Sequence, residues 1–351
     1  MCGSEGGWGA QAAVPRQAPG PAVDRIQLEP VDEITVTTLV DNVYDGLLAS
    51  TAQIERAPLA AGHTPAAQFA DGVALLGMRA EHGFSAHLSV TTRGRTNSLI
   101  FDTGLSPDAM LDNADRLGID LGDVRGVILS HGHFDHAGGL LGLAARRGRA
   151  RMPMTIHPFA WTARRFASPD GSFMLPTLSP TALAAEGFEL IERRTPSLLL
   201  DGSVLITGEI DRTTDFERGM PPAHQAWDGT AWQLDPTVID DQALIVHLRD
   251  RGLVIVTGCG HAGVVNIVRH AMRLTGVDRL HALFGGFHLG GPAFEPIIPA
   301  TVAALSDAAP ALLVAGHCTG WRAQHALAAA LPQAWQPPSS GSRYRMHPEV
   351  A

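Results

Sequence analysis

Apolar residues in this chain change their spacing repeatedly, from alternation and short continuous runs to repeats of three and four positions. Alternation marks a half-buried strand, a short run a fully buried one, and the three-and-four repeat a helix with one face on a core. Residues 33–40, Glu33-Ile34-Thr35-Val36-Thr37-Thr38-Leu39-Val40, are β-branched and apolar and read as a strand ending at Asp41-Asn42. Residues 87–90 and 97–101 give two more strands, the second running into the turn Asp102-Thr103-Gly104. Over 106–117, Ala109, Met110, Leu111, Ala114 and Leu117 recur at helical spacing, with Gly118 as the stop. An apolar strand over 124–129 and a helix over 137–145 follow. Further strands are expected at 154–156, 202–207, 242–248, 253–257 and 312–314, and helices at 263–275 and 298–306. Strands interleaved with helices, including an antiparallel pair around Arg249-Asp250-Arg251-Gly252, predict a layered α/β sandwich.

Patterning also sets expected boundaries. Residues 1–32 are rich in Gly, Pro, Gln and Ala without periodicity and read as a flexible leader. One domain is expected over 33–335, carrying an insertion at about 49–77, with 336–351 as a C-terminal tail. No internal repeat is visible.

Composition narrows the function. With 351 residues, 45% hydrophobic and 17% charged, the chain can bury a large core, which excludes disorder of the whole. It contains no apolar run long enough for a membrane helix and no basic segment leading into one, so neither a membrane partner nor a secretory signal is expected. A net charge of −9 argues against nucleic acid as a partner. Cys2, Cys259 and Cys318 are too few for a disulfide framework, which suits the cytoplasm. All 26 basic residues are arginine, so lysine Schiff-base, pyridoxal and P-loop chemistry are excluded. The expected partner is a small-molecule substrate, and the sequence leaves the oligomeric state open.

Histidine, present 16 times, carries the chemistry. In Ser130-His131-Gly132-His133-Phe134-Asp135-His136, four metal-competent side chains fall on the loop between a buried strand and a helix. His131 and His133 point the same way on extended backbone, while Asp135 and His136 project differently, so the two pairs suit two neighbouring metal ions. Imidazole and carboxylate ligands suit zinc, with iron or manganese as alternatives. His261 and His317 each follow an apolar strand, where loops of an open α/β layer converge, and complete the candidate ligands. His288 is a candidate for substrate contact or proton transfer, Asp102 for orienting a ligand histidine, and Glu209 for completing a metal shell or handling protons. Cys259 and Cys318 read as small loop residues. Arg146, Arg147, Arg149, Arg151, Arg164 and Arg165 form either a phosphate-binding face or a solvated basic loop.

The segment Ser130 to His136 resembles the H-x-H-x-D-H loop of the metallo-β-lactamase fold superfamily. Leu39-Val40-Asp41-Asn42, Ala80-Glu81-His82-Gly83-Phe84-Ser85, Phe101-Asp102-Thr103-Gly104, Gly258-Cys259-Gly260-His261-Ala262-Gly263, Gly285-Gly286-Phe287-His288-Leu289 and His317-Cys318-Thr319-Gly320 are similar to its 7,8-dihydropterin-6-methyl-4-(β-D-ribofuranosyl)aminobenzene-5'-phosphate synthase-like group. The resemblance implies an αββα four-layer sandwich, two mixed sheets flanked by helices, with a metal centre at one sheet edge. It supports His131, His133 and His261 on one metal and Asp135, His136 and His317 on the other. The expected activity is hydrolysis of an ester, lactone or phosphodiester-type bond by hydroxide generated at a dinuclear zinc centre, with Asp135 and His288 as catalytic residues. The alternatives are a transferase joining a pterin to an arylamine ribose phosphate, and a metal-holding sensor without catalysis.

Overall fold

The structure is a computed structural model that describes residues 25–348. Two mixed sheets lie face to face with helices outside each. In spatial order, the first comprises Phe188–Glu192, Met152–Ile156, Val124–Ile128, Arg95–Phe101, Ser85–Thr92, Glu33–Val40, Arg343–Met346 and Ile54–Glu55. The second comprises Ser197–Leu199, Val204–Ile206, Ala243–Leu248, Gly252–Thr257, Leu280–Gly286 and Leu312–Gly316. The four layers are the αββα sandwich that the sequence resemblance implies.

Side chains alternate across each strand, so a strand buried on both faces feeds two cores. Val254 and Val256 join Ile34, Val36, Leu88, Phe101 and Phe284 between the sheets, while Leu253 and Ile255 face the helices Val264–Thr275, Ile298–Ala308 and Trp321–Ala330. The other outer layer seats Ala109–Arg116, Leu140–Arg146 and Pro180–Ala185 on Ile100, Val127 and Met154. Gly118, at φ +64°, ends the first of these as its position predicts.

Four expectations about boundaries change. Residues 1–24 of the expected leader lie outside the described residues, but 25–32 pack on the fold. Ile26 N–H donates to Leu274 O at 2.8 Å, Val31 N–H to His247 O at 2.9 Å, and Leu28 and Val31 are buried. The expected tail supplies the strand Arg343–Met346, which fills the place between Glu33–Val40 and Ile54–Glu55 and buries Tyr344 completely. Within 49–77, Ile54–Glu55 extends the large sheet, and Gly62–Pro65 pairs with Val73–Leu76 as a separate hairpin. The helix expected at 137–145 begins only at Leu140, after a 3₁₀ turn at Phe134–His136.

Topology positions the site. Strands Gly252–Thr257, Leu280–Gly286 and Leu312–Gly316 are parallel neighbours, so the loops bearing His261, His288 and His317 leave the same sheet edge. Arg95–Phe101 and Val124–Ile128, also parallel, deliver Asp102 and the loop 130–136 to that edge from the other sheet. A smaller antiparallel sheet of Gly171–Met174, Arg164–Ser168, His224–Trp227 and Trp232–Leu234 brings His224 alongside.

Candidate metal centre

The structure brings His131, His133, Asp135, His136, His261 and His317 together as six buried side chains. Ligand atoms of His131, His133 and His261 all lie within 4.8 Å of one another. Asp135 Oδ2 lies 3.7 Å from His136 Nε2 and 3.5 Å from His317 Nε2. The rings of His131 and His136 are 4.4 Å apart between centroids, so the two sets are contiguous.

Hydrogen bonds decide which nitrogen of each imidazole is open. Asp102 accepts Ser130 N–H, Ser130 Oγ–H and His136 Nδ1–H, each at 2.7 Å, which leaves Nε2 of neutral His136 unprotonated. With its proton on Asp102, Ser130 Oγ accepts from His131 Nδ1 at 2.9 Å, so His131 Nε2 is the open nitrogen. His224 donates Nδ1–H to Asp235 O at 2.9 Å and accepts His133 Nε2–H at 3.2 Å, which leaves His133 Nδ1 open. His317 Nδ1 donates to Asn42 Oδ1 at 3.2 Å, and its Nε2 faces the cluster. One carboxylate therefore sets the tautomers of a histidine in each set.

Charge follows burial. Desolvation, reinforced by neighbouring imidazoles, drives His131, His133, His261 and His317 well below the usual histidine range, so they are neutral at pH 7. Burial would also depress His136, but Asp102 and Asp135 beside it outweigh that and lift it to about 9. The surroundings of His136 are thus built to hold one positive charge, whether a proton or a metal cation. His131 Nε2 and both ring nitrogens of His261 are buried with no protein partner. A buried polar atom left unpaired costs about 1–3 kcal/mol, so orphaned lone pairs converging beside a carboxylate fit a divalent metal bound by nitrogen and oxygen.

Backbone conformation supports the arrangement. Asp102, His288 and His317 adopt positive φ, at +58°, +45° and +46°, a strain that clusters at functional sites. Gly316 precedes His317 because a Cβ there would lie 2.1 Å from Asp41 Oδ2. That carboxylate accepts His317 N–H at 2.9 Å, and burial raises its pKa to about 6. Arg164, buried, bridges Asp235 and Asp240, and Asp240 in turn accepts Gly132 N–H at 2.8 Å and ties down the loop of His131 and His133.

The remaining candidates divide. His288 stands at the rim, its ring 4.3 Å from His261 and its Nδ1 without a protein partner. Glu209 lies away from the cluster, bonded to Arg194 at 2.7 Å and 3.4 Å from His157 Nε2. The arginines form no phosphate face. Arg146, Arg149 and Arg151 pair with Asp115, Glu186 and Glu189, Arg147 binds backbone carbonyls, Arg164 is buried, and Arg165 stacks on Trp232. Sequence reasoning did not select His82, His224, Asp240 or Asp41 as site residues. His82 Nε2 lies 3.7 Å from Asp135 Oδ2. Only the Ala80–Ser85 and Leu39–Asn42 motifs carried any signal for His82 and Asp41.

The sequence profile described as the metallo-beta-lactamase superfamily matches residues 83–265. The chain is 30% identical over 251 residues to the 7,8-dihydropterin-6-methyl-4-(beta-D-ribofuranosyl)-aminobenzene-5'-phosphate synthase of Methanocaldococcus jannaschii, covering 70% of this chain and 83% of that one. It is 27% identical over 241 residues to metallo-beta-lactamase domain-containing protein 1 of Xenopus laevis, covering 63% of this chain and 91% of that one. A solved structure described as a metal-dependent hydrolase of the beta-lactamase superfamily superposes with a TM-score of 0.65 at 23% identity, covering 91% of this chain and 99% of that one.

Proposed function

The chain belongs to the metallo-beta-lactamase superfamily, and from that premise we propose that it is a metal-dependent hydrolase of a small-molecule ester, lactone or phosphodiester-type bond. Two divalent ions, zinc in the first place with iron or manganese as alternatives, are its cofactors. His131, His133 and His261 would hold one, and Asp135, His136 and His317 the other. The observation that carries this reading is that Asp102, Ser130, His224 and Asn42 leave one open nitrogen on each of His131, His133, His136 and His317. A bound pair of such ions lowers the pKa of water towards neutrality and polarises a carbonyl or phosphoryl oxygen.

The protein's own residues orient and exclude. The candidate ligand histidines sit in a buried floor, while His288, half-buried at its rim, would touch the leaving group and carry a proton. Beside it Met220, Phe287, Phe294 and Ile297 form a shallow, largely filled margin together with Glu217. Among the described residues, Cys259 and Cys318 are free thiols, which favours a cytoplasmic location.

Elemental analysis of protein purified without added metal, followed by ester, lactone and bis-phosphodiester substrates, tests the reading. About two equivalents of metal with turnover, lost in folded His131→Ala and Asp135→Ala variants, is the expected result. Less than about 0.2 equivalents, unrestored by zinc, overturns it, whereas about two equivalents with no turnover of any substrate favours a metal-holding sensor. The 30% identity to the archaeal synthase favours one second reading, condensation of a pterin with an arylamine ribose phosphate. Product formation from those two substrates, without turnover of the hydrolytic panel, would select it.

A further inference from the structure

The loop after strand Gly252–Thr257 turns the Cys259 thiol into the metal-competent cluster. Cys259 is 3% exposed, and its Sγ lies 3.4 Å from His136 Nε2 and 3.2 Å from His317 Nε2. These are the nitrogens left open once Nδ1 of each ring has gone to Asp102 and to Asn42. His131 adds a third, for the ligand atoms of His131, His136 and Cys259 all fall within 4.8 Å of one another. A thiol carries one proton and is a weak donor, and His131 Nε2 stays buried with no protein partner. A cation would satisfy that nitrogen and draw on the sulfur as well.

The position of the sulfur is imposed by its neighbours. A Cβ on Gly258 would lie 2.1 Å from Ser130 Oγ and 2.6 Å from Asp102 Oδ2, so the loop packs directly on the carboxylate that orients His136. On the far side, Cys318 Sγ–H donates to Cys259 O at 3.3 Å. The loop cannot swing the thiol away without breaking both contacts.

We infer that Cys259 supplies a thiolate ligand to the ion held by Asp135, His136 and His317, an inference that rests on the metal-enzyme reading above. The sulfur–metal bond forms as the S–H bond breaks, and the proton leaves to solvent. One soft sulfur among imidazoles and a carboxylate biases that ion towards zinc, cobalt(II) or iron(II) and away from magnesium or calcium.

Cobalt(II) loading of the metal-free chain tests this through its absorption spectrum, independently of turnover. Wild type and Cys318→Ser should bind about two cobalt ions and show a near-ultraviolet sulfur-to-cobalt charge-transfer band. Cys259→Ser should lose that band, and so should Cys259→Asp, which keeps an anionic ligand should the serine variant not fold. Two cobalt ions without the band in wild type, or a band that survives in either Cys259 variant, overturns the thiolate ligand and leaves the metal-enzyme reading standing. Failure of wild type to bind cobalt at all overturns both.

Discussion

Replacing Asp102 with Asn should damage both halves of the metal centre through one hydrogen-bond exchange. Asp102 is fully buried and sits at φ +58°, a conformation that Asn also tolerates, so the substitution spares the backbone. The Asn carbonyl can still accept Ser130 N–H, but its amide then faces Ser130 Oγ–H and His136 Nδ1–H, two donors. His136 relieves the clash by moving its proton to Nε2. Ser130 relieves it by rotating its proton towards His131 Nδ1, which puts the His131 proton on Nε2 as well. Each set thus loses one open lone pair. Loss of such an orienting partner costs about 10–100-fold in metal affinity, or roughly 1.4–2.7 kcal/mol per ion at 1.36 kcal/mol per decade. Competition with a chromophoric chelator measures both affinities, and circular dichroism of the metal-free variant reports the fold. A folded Asp102→Asn variant holding both ions within about twofold of wild type would refute the tautomer argument.

Two further outcomes follow from burial. His136 is raised to about 9 in the metal-free fold, so its proton contributes stability that is fully present below the usual histidine value and is lost as pH rises through 9. Buried Asp241 and Glu217, raised to about 7, act in the same direction up to that pH. In a Cys318→Ser background, which removes a thiol whose depressed pKa acts the other way over this span, thermal unfolding in chelator should therefore show a falling midpoint from about pH 7 to about 9, and a constant or rising midpoint would contradict the charge assignment at His136. Arg164→Met leaves Asp235 and Asp240 without their buried partner, an arrangement that costs about 3–5 kcal/mol. Denaturant unfolding should register that loss, and a variant within about 0.5 kcal/mol of wild type would show that Arg164 does not brace the loop through Asp240.

The elements that place the candidate metal centre were visible as local patterns. Residues 33–40, 97–101, 124–129, 253–257 and 312–314 are apolar runs bounded by Asp or Gly, and the structure has strands at all five. Four candidate ligands in six residues needed no tertiary information, and the other two candidates sat at ends of such strands. What stayed hidden depends on distant partners. Arg343-Tyr344-Arg345-Met346 looks polar because Arg343 and Arg345 reach Glu55 while Tyr344 and Met346 alone enter the core. His224 lies in Pro221-Pro222-Ala223-His224, and no periodicity shows that its strand will cross Arg164–Ser168 and meet His133. Glu209, like Asp102, follows a strand in the sequence, yet Arg194 claims it. Cys259 reads as a loop residue until the loop is folded onto Asp102.

The strand Arg343–Met346 also governs when the centre can be finished. It is a direct neighbour of Glu33–Val40, and the Asp41 that follows this early strand donates its N–H to Ser340 Oγ, 299 positions away, while its carboxylate fixes His317. A growing polypeptide emerges from the ribosome in sequence order, so Asp41 waits until His317 and Ser340 have both been made. Joining segments so far apart costs loop-closure entropy before any contact is rewarded, which makes this seam a late event in folding. On the metal-enzyme reading, an ion held by Asp135, His136 and His317 reaches its final setting only once that seam has formed.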